Sequence, residues 1–432
     1  MDPSEQAVNS MLSAYEARHG SKRINPGIDF IPHAAKITSP IDIEYLSRAV
    51  LDGWFTAGPF SSAFEVELQK FYNLRSASLV NSGSSANLVA MSALTSKTLG
   101  DKRIHSESEV ITVAAGFPTT INPIFQTGAT PVFIDIDIPS YNMDTSVLAE
   151  ALTDKTRAMM IAHTLGNPFD LSSIKKFCDD NGLWLIEDNC DAFGSRYEGK
   201  LTGTFGDIST LSFYPAHHIT TGEGGAVLTK SAKLRVLIES FRDWGRDCYC
   251  APGKDNTCLK RFSQKLGDLP DGYDHKFIYG HIGYNLKMTD MQAALGLAQM
   301  AQVEGFIEKR KNNWNYLRDQ MSDYKDFYIL PEHQIASQPS WFGFALTIRE
   351  PKPESRKLIL NYLAEKKIGT RLLFAGNILK QPGYSEVDYR IVGNLNNTNK
   401  VMEDTFWVGC WPGLQAPHLD YISEHLKIAT KL

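Results

Sequence analysis

Seven short apolar runs in the first 230 residues constrain the fold most strongly. They are "SASLVN" (76–81), Glu109–Ala115, Thr130–Asp137, Ala158–Thr164, Leu183–Asn189, Ile208–Tyr214 and Gly225–Thr229. Each is too short for a buried helix and apolar almost throughout, as expected of a strand covered on both faces. Stretches of helical periodicity separate most of them, for example Ser172–Asn181. Gly83 allows a turn, after which Ser84–Leu94 reads as a helix. The alternation predicts an α/β chain built on a mostly parallel central sheet flanked by helices. Such sheets bind ligands at the carboxyl ends of their strands, where Asp188, Ser212 and His217 fall.

The rest of the chain is organised around this block. The first ~35 residues read as a helix followed by an extended arm, and apolar residues recur at helical spacing over Ile43–Leu51. After "YNLKMTDMQAALGLAQM" a long helix runs to about Tyr324. Beyond it, a strand at Trp341–Ile348 and a helix at Arg356–Lys366 predict a smaller C-terminal α+β domain. The expected boundaries are 1–40 for the helix and arm, 41–290 for the large domain and 291–432 for the linking helix and small domain. A cysteine-rich insertion occupies about 246–280 of the large domain.

Charge narrows the function class. The 44 basic and 49 acidic residues leave a net charge of −5 with no basic block, so nucleic acid is not an expected partner. No apolar run approaches the ~18 residues that span a bilayer, so no membrane is expected either. The N-terminus lacks the basic start and apolar core of a secretory signal. A cytoplasmic location is expected, where thiols stay reduced. The six cysteines are therefore expected to be buried, metal-binding or catalytic rather than disulfide-linked.

Three segments carry chemistry. "SGSSAN" offers backbone N–H groups and hydroxyls at a helix start, a natural phosphate cradle, though an ordinary capped helix has the same signature. "IEDN" ends a strand on a carboxylate, Asp188. "SFYPAHHITTGEGG" (Ser212–Gly225) runs from a strand into a glycine-rich turn holding His217 and His218, but it lacks the third glycine of a dinucleotide fingerprint.

In this order, these segments resemble fold-type I pyridoxal phosphate enzymes over nearly the whole chain. The nearest group is the DegT/DnrJ/EryC1/StrS sugar aminotransferases and dehydratases, which act on nucleotide-linked ketosugars. That family carries S-F-x-x-x-K-x-x-x-x-G-E-G-G, in which the lysine holds the cofactor as a Schiff base. Here Ser212-Phe213-Tyr214-Pro215-Ala216 leads to His217, and Gly222-Glu223-Gly224-Gly225 follows. A histidine forms no stable Schiff base but moves protons near neutral pH. The resemblance therefore implies pyridoxamine 5′-phosphate (PMP, the amine form of PLP) as cofactor. His217 is the implied base that removes a proton from the cofactor's C4′ carbon, and the sugar loses a neighbouring hydroxyl.

Other roles follow position by position from the resemblance. Asp188 matches the acid facing the pyridinium nitrogen, and Phe117 the aromatic stacked on the ring. Gly83, Ser84 and Ser85 match the phosphate turn, with Ser212 adding a hydroxyl. Asn285 matches a residue reaching the phosphate of a neighbouring subunit, which implies a homodimer with shared sites. Asp191 stands where aminotransferases commonly have glutamine, and with Tyr214 it is expected to tune proton transfer. Trp54, Phe55, Arg371 and Phe374 are candidates for the substrate pocket.

Cys190, Cys248, Cys250 and Cys258 are spaced C-x57-C-x-C-x7-C. The C-x-C pair fits neither the usual zinc knuckle nor the common ferredoxin spacings, so spacing alone leaves a metal site and unpaired thiols both open. Cys178 and Cys410 read as packing residues. One branch of the family has both the histidine and these four cysteines: the iron–sulfur, PMP-dependent 3-dehydrases of 3,6-dideoxyhexose biosynthesis, whose best-known substrate is CDP-4-keto-6-deoxyglucose. This closeness implies a [2Fe–2S] cluster on the four thiolates, relaying electrons from an NADH-dependent flavin iron–sulfur reductase. The alternatives are a cluster-free 3-dehydratase recycled by glutamate, an aminotransferase, which would need lysine at 217, and a zinc-stapled binding protein on a degenerate fold.

Overall fold

The computed structural model describes residues 2–20, 23–250 and 253–432. Its centre is an eight-stranded sheet. In spatial order the strands are Ser76–Val80, Gly225–Thr229, Ile208–Ser212, Trp184–Asp188, Thr156–Ala162, Glu109–Val113, Thr130–Ile134 and Arg390–Ile391. Gly225–Thr229 runs antiparallel to both its neighbours, and the other pairings are parallel. Successive side chains point to opposite faces of a strand, and both faces here are packed. Ile111, Val132, Met159 and Leu185 lie in one apolar cluster. Val110, Ala158, Met160 and Ile186 lie in another, with Ala86, Val89 and Ala90 of the helix Gly83–Ala93. The expected doubly covered α/β sheet is present.

The second layer of organisation is a four-stranded antiparallel sheet, in the order Tyr328–Ile329, Gly343–Ile348, Thr405–Gly409, Thr370–Arg371. The helices Val303–Gln320, Ser355–Glu365 and Ala416–Ala429 bury Leu317, Leu363, Ile422 and Leu426 against it. Arg390–Ile391 leaves this region to pair with Thr130–Ile134 at the edge of the large sheet, a link that its two residues are too short to signal in sequence. The helix Pro3–His19 is followed by an arm that reaches the small sheet, with Ile31 buried in its core.

Among the described residues of 246–280 the only helix is one short 3-10 turn, His275–Phe277. Polar contacts hold this loop. An Arg261–Asp274 ion pair spans 2.6 Å, and His275 Nε2 lies 2.6 Å from Asp247. No helix among the described residues is long and apolar enough to cross a membrane.

Candidate active site

A cavity of about 570 Å³ opens at the carboxyl ends of the central strands, between the two sheets. Its walls include Gly83, Ser84, Phe117, Asp188, Asp191, Ser212, Tyr214 and His217, eight of the ten residues expected at the cofactor and its base. The other two stand elsewhere. Ser85 turns away, its hydroxyl donating to Asn81 Oδ1 at 2.6 Å. Asn285 is absent from the cavity wall, and its amide oxygen accepts from Lys287 at 2.8 Å.

The expected phosphate cradle is the start of the helix Gly83–Ala93. The Ser82 hydroxyl caps it by accepting from the Ser85 N–H at 3.0 Å, while first-turn N–H groups of a helix have no intrahelical acceptor. A Cβ on Gly83 would sit 2.4 Å from Ser212 Cβ, so glycine is what lets this turn close on the strand end. Gly225 has a similar role, because its Cβ would lie 2.5 Å from the Ser82 carbonyl oxygen. Gly225 thus serves close packing beside the turn, whereas Gly222 has open space around it and a φ of +82°.

Asp188 is buried and fully engaged. Its Oδ2 accepts from Asn87 at 2.8 Å and from the Thr120 hydroxyl at 2.6 Å, and its Oδ1 accepts from the Cys190 N–H at 3.2 Å. Thr210 in turn donates to Asn87 Oδ1 at 2.6 Å. Asn87, Thr120 and Thr210 carry no sequence signal of their own; only the packing of helix on sheet brings them to the acid. Phe117 is half-exposed and faces the cavity, with Phe374 edge-on at 6.1 Å.

His217 sits on a turn anchored by Phe213, which is fully buried and packs 5.2 Å from Phe64. The His217 N–H donates to the Tyr214 carbonyl at 2.9 Å. Phe342 covers the imidazole at 5.1 Å. Asp191 Oδ1 stands 3.5 Å from His217 Nδ1, too long for a hydrogen bond, and both His217 Nδ1 and Asp191 Oδ2 are buried without a partner. Burial, helped by the nearby Arg310 charge, pushes the imidazole down to about 4. Burial, helped by Asp188, pushes the Asp191 carboxyl up to about 8. Both shifts favour the uncharged forms, an imidazole beside a protonated carboxyl rather than an ion pair.

Arg310 is a residue that sequence reasoning missed. It is fully buried, and its guanidinium donates to the carbonyls of Ala216 (3.3 Å), His217 (3.1 Å), Trp341 (3.2 Å) and Phe342 (3.4 Å). It thus pins the turn carrying His217 to the segment that covers it. His218 points away and contacts the Ser340 carbonyl at 2.9 Å.

These residues fit a pyridoxal-type cofactor. There is a helix-start cradle, a carboxylate at a strand end, an exposed aromatic face and two unpartnered polar atoms, all facing one cavity. The cysteines fit a cluster less well. Cys248, Cys250 and Cys258 line one small pocket, and the Thr257 hydroxyl, 3.0 Å from Cys250, helps hold that thiol below its usual range. Cys190 lines the active-site cavity instead, its thiol pushed well up by burial and by Asp188. Among the described residues no group of three or more His, Cys, Asp or Glu side chains is arranged to hold a metal ion. The expected four-thiolate set is not assembled, because Cys190 lies in the turn after the core strand Trp184–Asp188 and faces the active-site cavity, while the other three sit on the loop 246–280. Cys178 and Cys410 are buried, as expected of packing residues. Arg371 and Phe374 line the cavity, whereas Trp54 lies against Gly253 of the cysteine loop and Phe55 is exposed outside the cavity wall.

Comparison with known proteins adds the lineage. The model of the DegT/DnrJ/EryC1/StrS aminotransferase family matches residues 38–427. The chain is 53% identical to the lipopolysaccharide biosynthesis protein RfbH of Salmonella typhimurium (strain LT2), covering 96% of each. It is 52% identical to a dTDP-4-dehydro-2,6-dideoxy-D-glucose 3-dehydratase of Saccharopolyspora spinosa, covering 88% of this chain and 82% of that one. Among solved structures it superposes with a TM-score of 0.82 and 28% identity on a GDP-4-keto-6-deoxymannose-3-dehydratase holding a trapped PLP-glutamate geminal diamine, covering 91% of this chain and 99% of that one.

Proposed function

This chain belongs to the DegT/DnrJ/EryC1/StrS aminotransferase family, and from that premise we propose that it removes the C3 hydroxyl of a nucleotide-linked 4-keto-6-deoxyhexose. The observation that carries this reading is the imidazole of His217, held toward its neutral form by burial and with Nδ1 unpartnered, in the cavity where the family's cofactor lysine would stand. Pyridoxamine phosphate, when bound, supplies the amine that condenses with the sugar ketone and a ring that takes up the electrons released on proton removal. The start of the helix Gly83–Ala93 and Ser212 would hold its phosphate, Asp188 its ring nitrogen and Phe117 one ring face.

The remaining chemistry falls to the chain itself. His217 is held neutral by burial and so is ready to take a proton at C4′. Asp191, held protonated, adds no competing negative charge beside it. Tyr214, half-exposed on the cavity wall, is the third group able to hand a proton to a departing hydroxyl. Asn285 acts across a homodimer in this reading, in keeping with its position outside the cavity of its own chain.

The finer reading is a reductive enzyme of 3,6-dideoxyhexose and O-antigen biosynthesis. Its substrate is CDP-4-keto-6-deoxy-D-glucose, and a [2Fe–2S] cluster on Cys190, Cys248, Cys250 and Cys258 is fed by an NADH-dependent flavin iron–sulfur reductase. Supporting it are the three thiols gathered in one pocket and the similarity to a lipopolysaccharide biosynthesis protein. That Cys190 lines the active-site cavity and not that pocket favours a second reading, a cluster-free dehydratase recycled by glutamate, in line with the PLP-glutamate complex of the solved neighbour.

Anaerobic reconstitution with iron and sulfide, followed by incubation with CDP-, GDP- and TDP-4-keto-6-deoxyhexoses, tests both. Product lacking the C3 hydroxyl supports the dehydration. Iron-dependent visible absorption and a requirement for an electron donor separate the reductive enzyme from the glutamate-recycled one. Amino-sugar product together with borohydride trapping of a lysine adduct would overturn the dehydration reading.

A further inference from the structure

The N-terminal arm delivers a side chain into the active-site cavity that the site described above does not use. Ile31 forms a parallel bridge with Ile368: its N–H donates to the Lys367 carbonyl, and its own carbonyl accepts from the Gly369 N–H, both at 2.8 Å. The Trp411 indole N–H donates to the Pro32 carbonyl at 2.8 Å. A Cβ on Gly409 would lie 2.2 Å from the His33 carbonyl oxygen, so the arm presses directly on the small sheet. The parallel register places His33 beside the strand Thr370–Arg371, and its ring meets Trp407 edge-on at 5.2 Å. His33, Arg371 and Trp407 all line the active-site cavity.

Both basic groups have capacity to spare. His33 Nδ1 is buried with no hydrogen-bond partner. Among the described residues Arg371 donates only to the Thr370 carbonyl and forms no ion pair. Burial and the Arg371 charge together hold the His33 imidazole down to about 4, which places the two groups within electrostatic reach of each other. The carboxylates of this cavity are elsewhere, Asp188 and Asp191 at the end of one central strand and Glu223 on the glycine-rich turn. A guanidinium without an anion, beside a neutral imidazole with an unpartnered ring nitrogen, at the edge of a partly apolar cavity, is a site for a ligand that brings its own negative charge.

We propose that His33 and Arg371 form a second anion subsite, distinct from the helix start at Gly83, that holds the diphosphate of the nucleotide-linked substrate. This rests on the nucleotide-sugar reading above. Arg371, on the small sheet, would engage a phosphate through its planar fork, and His33 would donate from a ring nitrogen. The arm then ties substrate recognition to the first forty residues, and a cofactor phosphate at Gly83 and a substrate diphosphate at Arg371 occupy walls of the cavity contributed by different domains.

The test is calorimetric titration of the PMP-loaded protein with CDP, GDP and TDP, each beside its nucleoside, and with inorganic pyrophosphate. His33→Ala and Arg371→Leu should each weaken the best nucleoside diphosphate about tenfold or more, and should leave its nucleoside unchanged. His33→Gln, which keeps an N–H donor, should lose less than His33→Ala. Thermal melts matching the wild type guard against misfolding, and a variant that melts early is replaced by Arg371→Gln. Equal diphosphate affinity in wild type and variants, or an equal loss for nucleoside, overturns the subsite. So does pyrophosphate that binds only when PMP is absent, since it would then occupy the Gly83 turn. Failure of the wild type to bind any nucleoside diphosphate sinks the nucleotide-sugar reading itself, a result distinct from the others.

Discussion

At the scale of single residues, the site turns on two side chains whose charge states are set by burial. His217→Asn keeps a similar size but cannot serve as a base. It should retain PMP while losing exchange of the C4′ hydrogen with solvent by at least ~100-fold, the lower range for loss of a general base. Mass spectrometry in deuterated buffer reads this directly, and undiminished exchange would remove His217 from its role. Asp191 gives a prediction about stability. Its folded pKa of about 8 lies above the unfolded value, so the folded chain binds the extra proton. Stability from this group is full below the unfolded carboxylate value and is lost as pH rises through about 8. Asp191→Asn mimics the protonated acid, and its melting temperature should therefore fall less than that of the wild type between about pH 5 and about pH 9. Parallel melting curves for the two proteins would show that the carboxyl ionises normally.

At the scale of elements, the helix Gly83–Ala93 is the part most exposed to a single change. A Cβ at position 83 meets Ser212 Cβ and Oγ at 2.4 and 2.7 Å, so Gly83→Ala must push the helix start away from the strand end. PMP affinity should drop at least about tenfold, with a smaller cost in stability, since overpacking typically costs about 1–3 kcal/mol. Fluorescence titration of the cofactor and a thermal melt measure the two effects separately. Sequence reading located this helix, its turn and the central strands to within a few residues, because buried strands and capped helices leave local patterns. It did not reveal that Gly225–Thr229 runs antiparallel or that Arg390–Ile391 completes the sheet. Direction and edge pairing depend on where the chain returns in space, and a two-residue strand has no period to detect.

At the scale of the whole molecule, two expectations concern parts that must come together. If Asn285 serves the partner's phosphate, inactive His217→Asn and inactive Asn285→Ala should complement each other. Random mixing makes half the dimers hybrid, each with one intact site, so about a quarter of wild-type activity should return. No recovery, with hybrid dimers demonstrated by native mass spectrometry, would confine each active site to one chain. The cysteines pose the other question. Cys248→Ser should abolish electron-dependent turnover yet spare dehydration if the cluster reading holds, and it should leave glutamate-recycled turnover untouched otherwise.

The sequence by itself determined the layered α/β architecture, because each strand and helix is written in contiguous residues whose period has a local physical meaning, and its resemblance to a known family set out the order of the expected cofactor segments and His217 in the lysine position. Only the tertiary structure decided which distant groups meet. Asn87, Thr120 and Thr210 order Asp188, Arg310 clamps the His217 turn, and His33 arrives beside Arg371. The structure also separated Cys190 from the three loop cysteines that share its spacing motif. Burial and hydrogen bonding between residues tens to hundreds of positions apart are products of packing, and packing has no signature in any one segment.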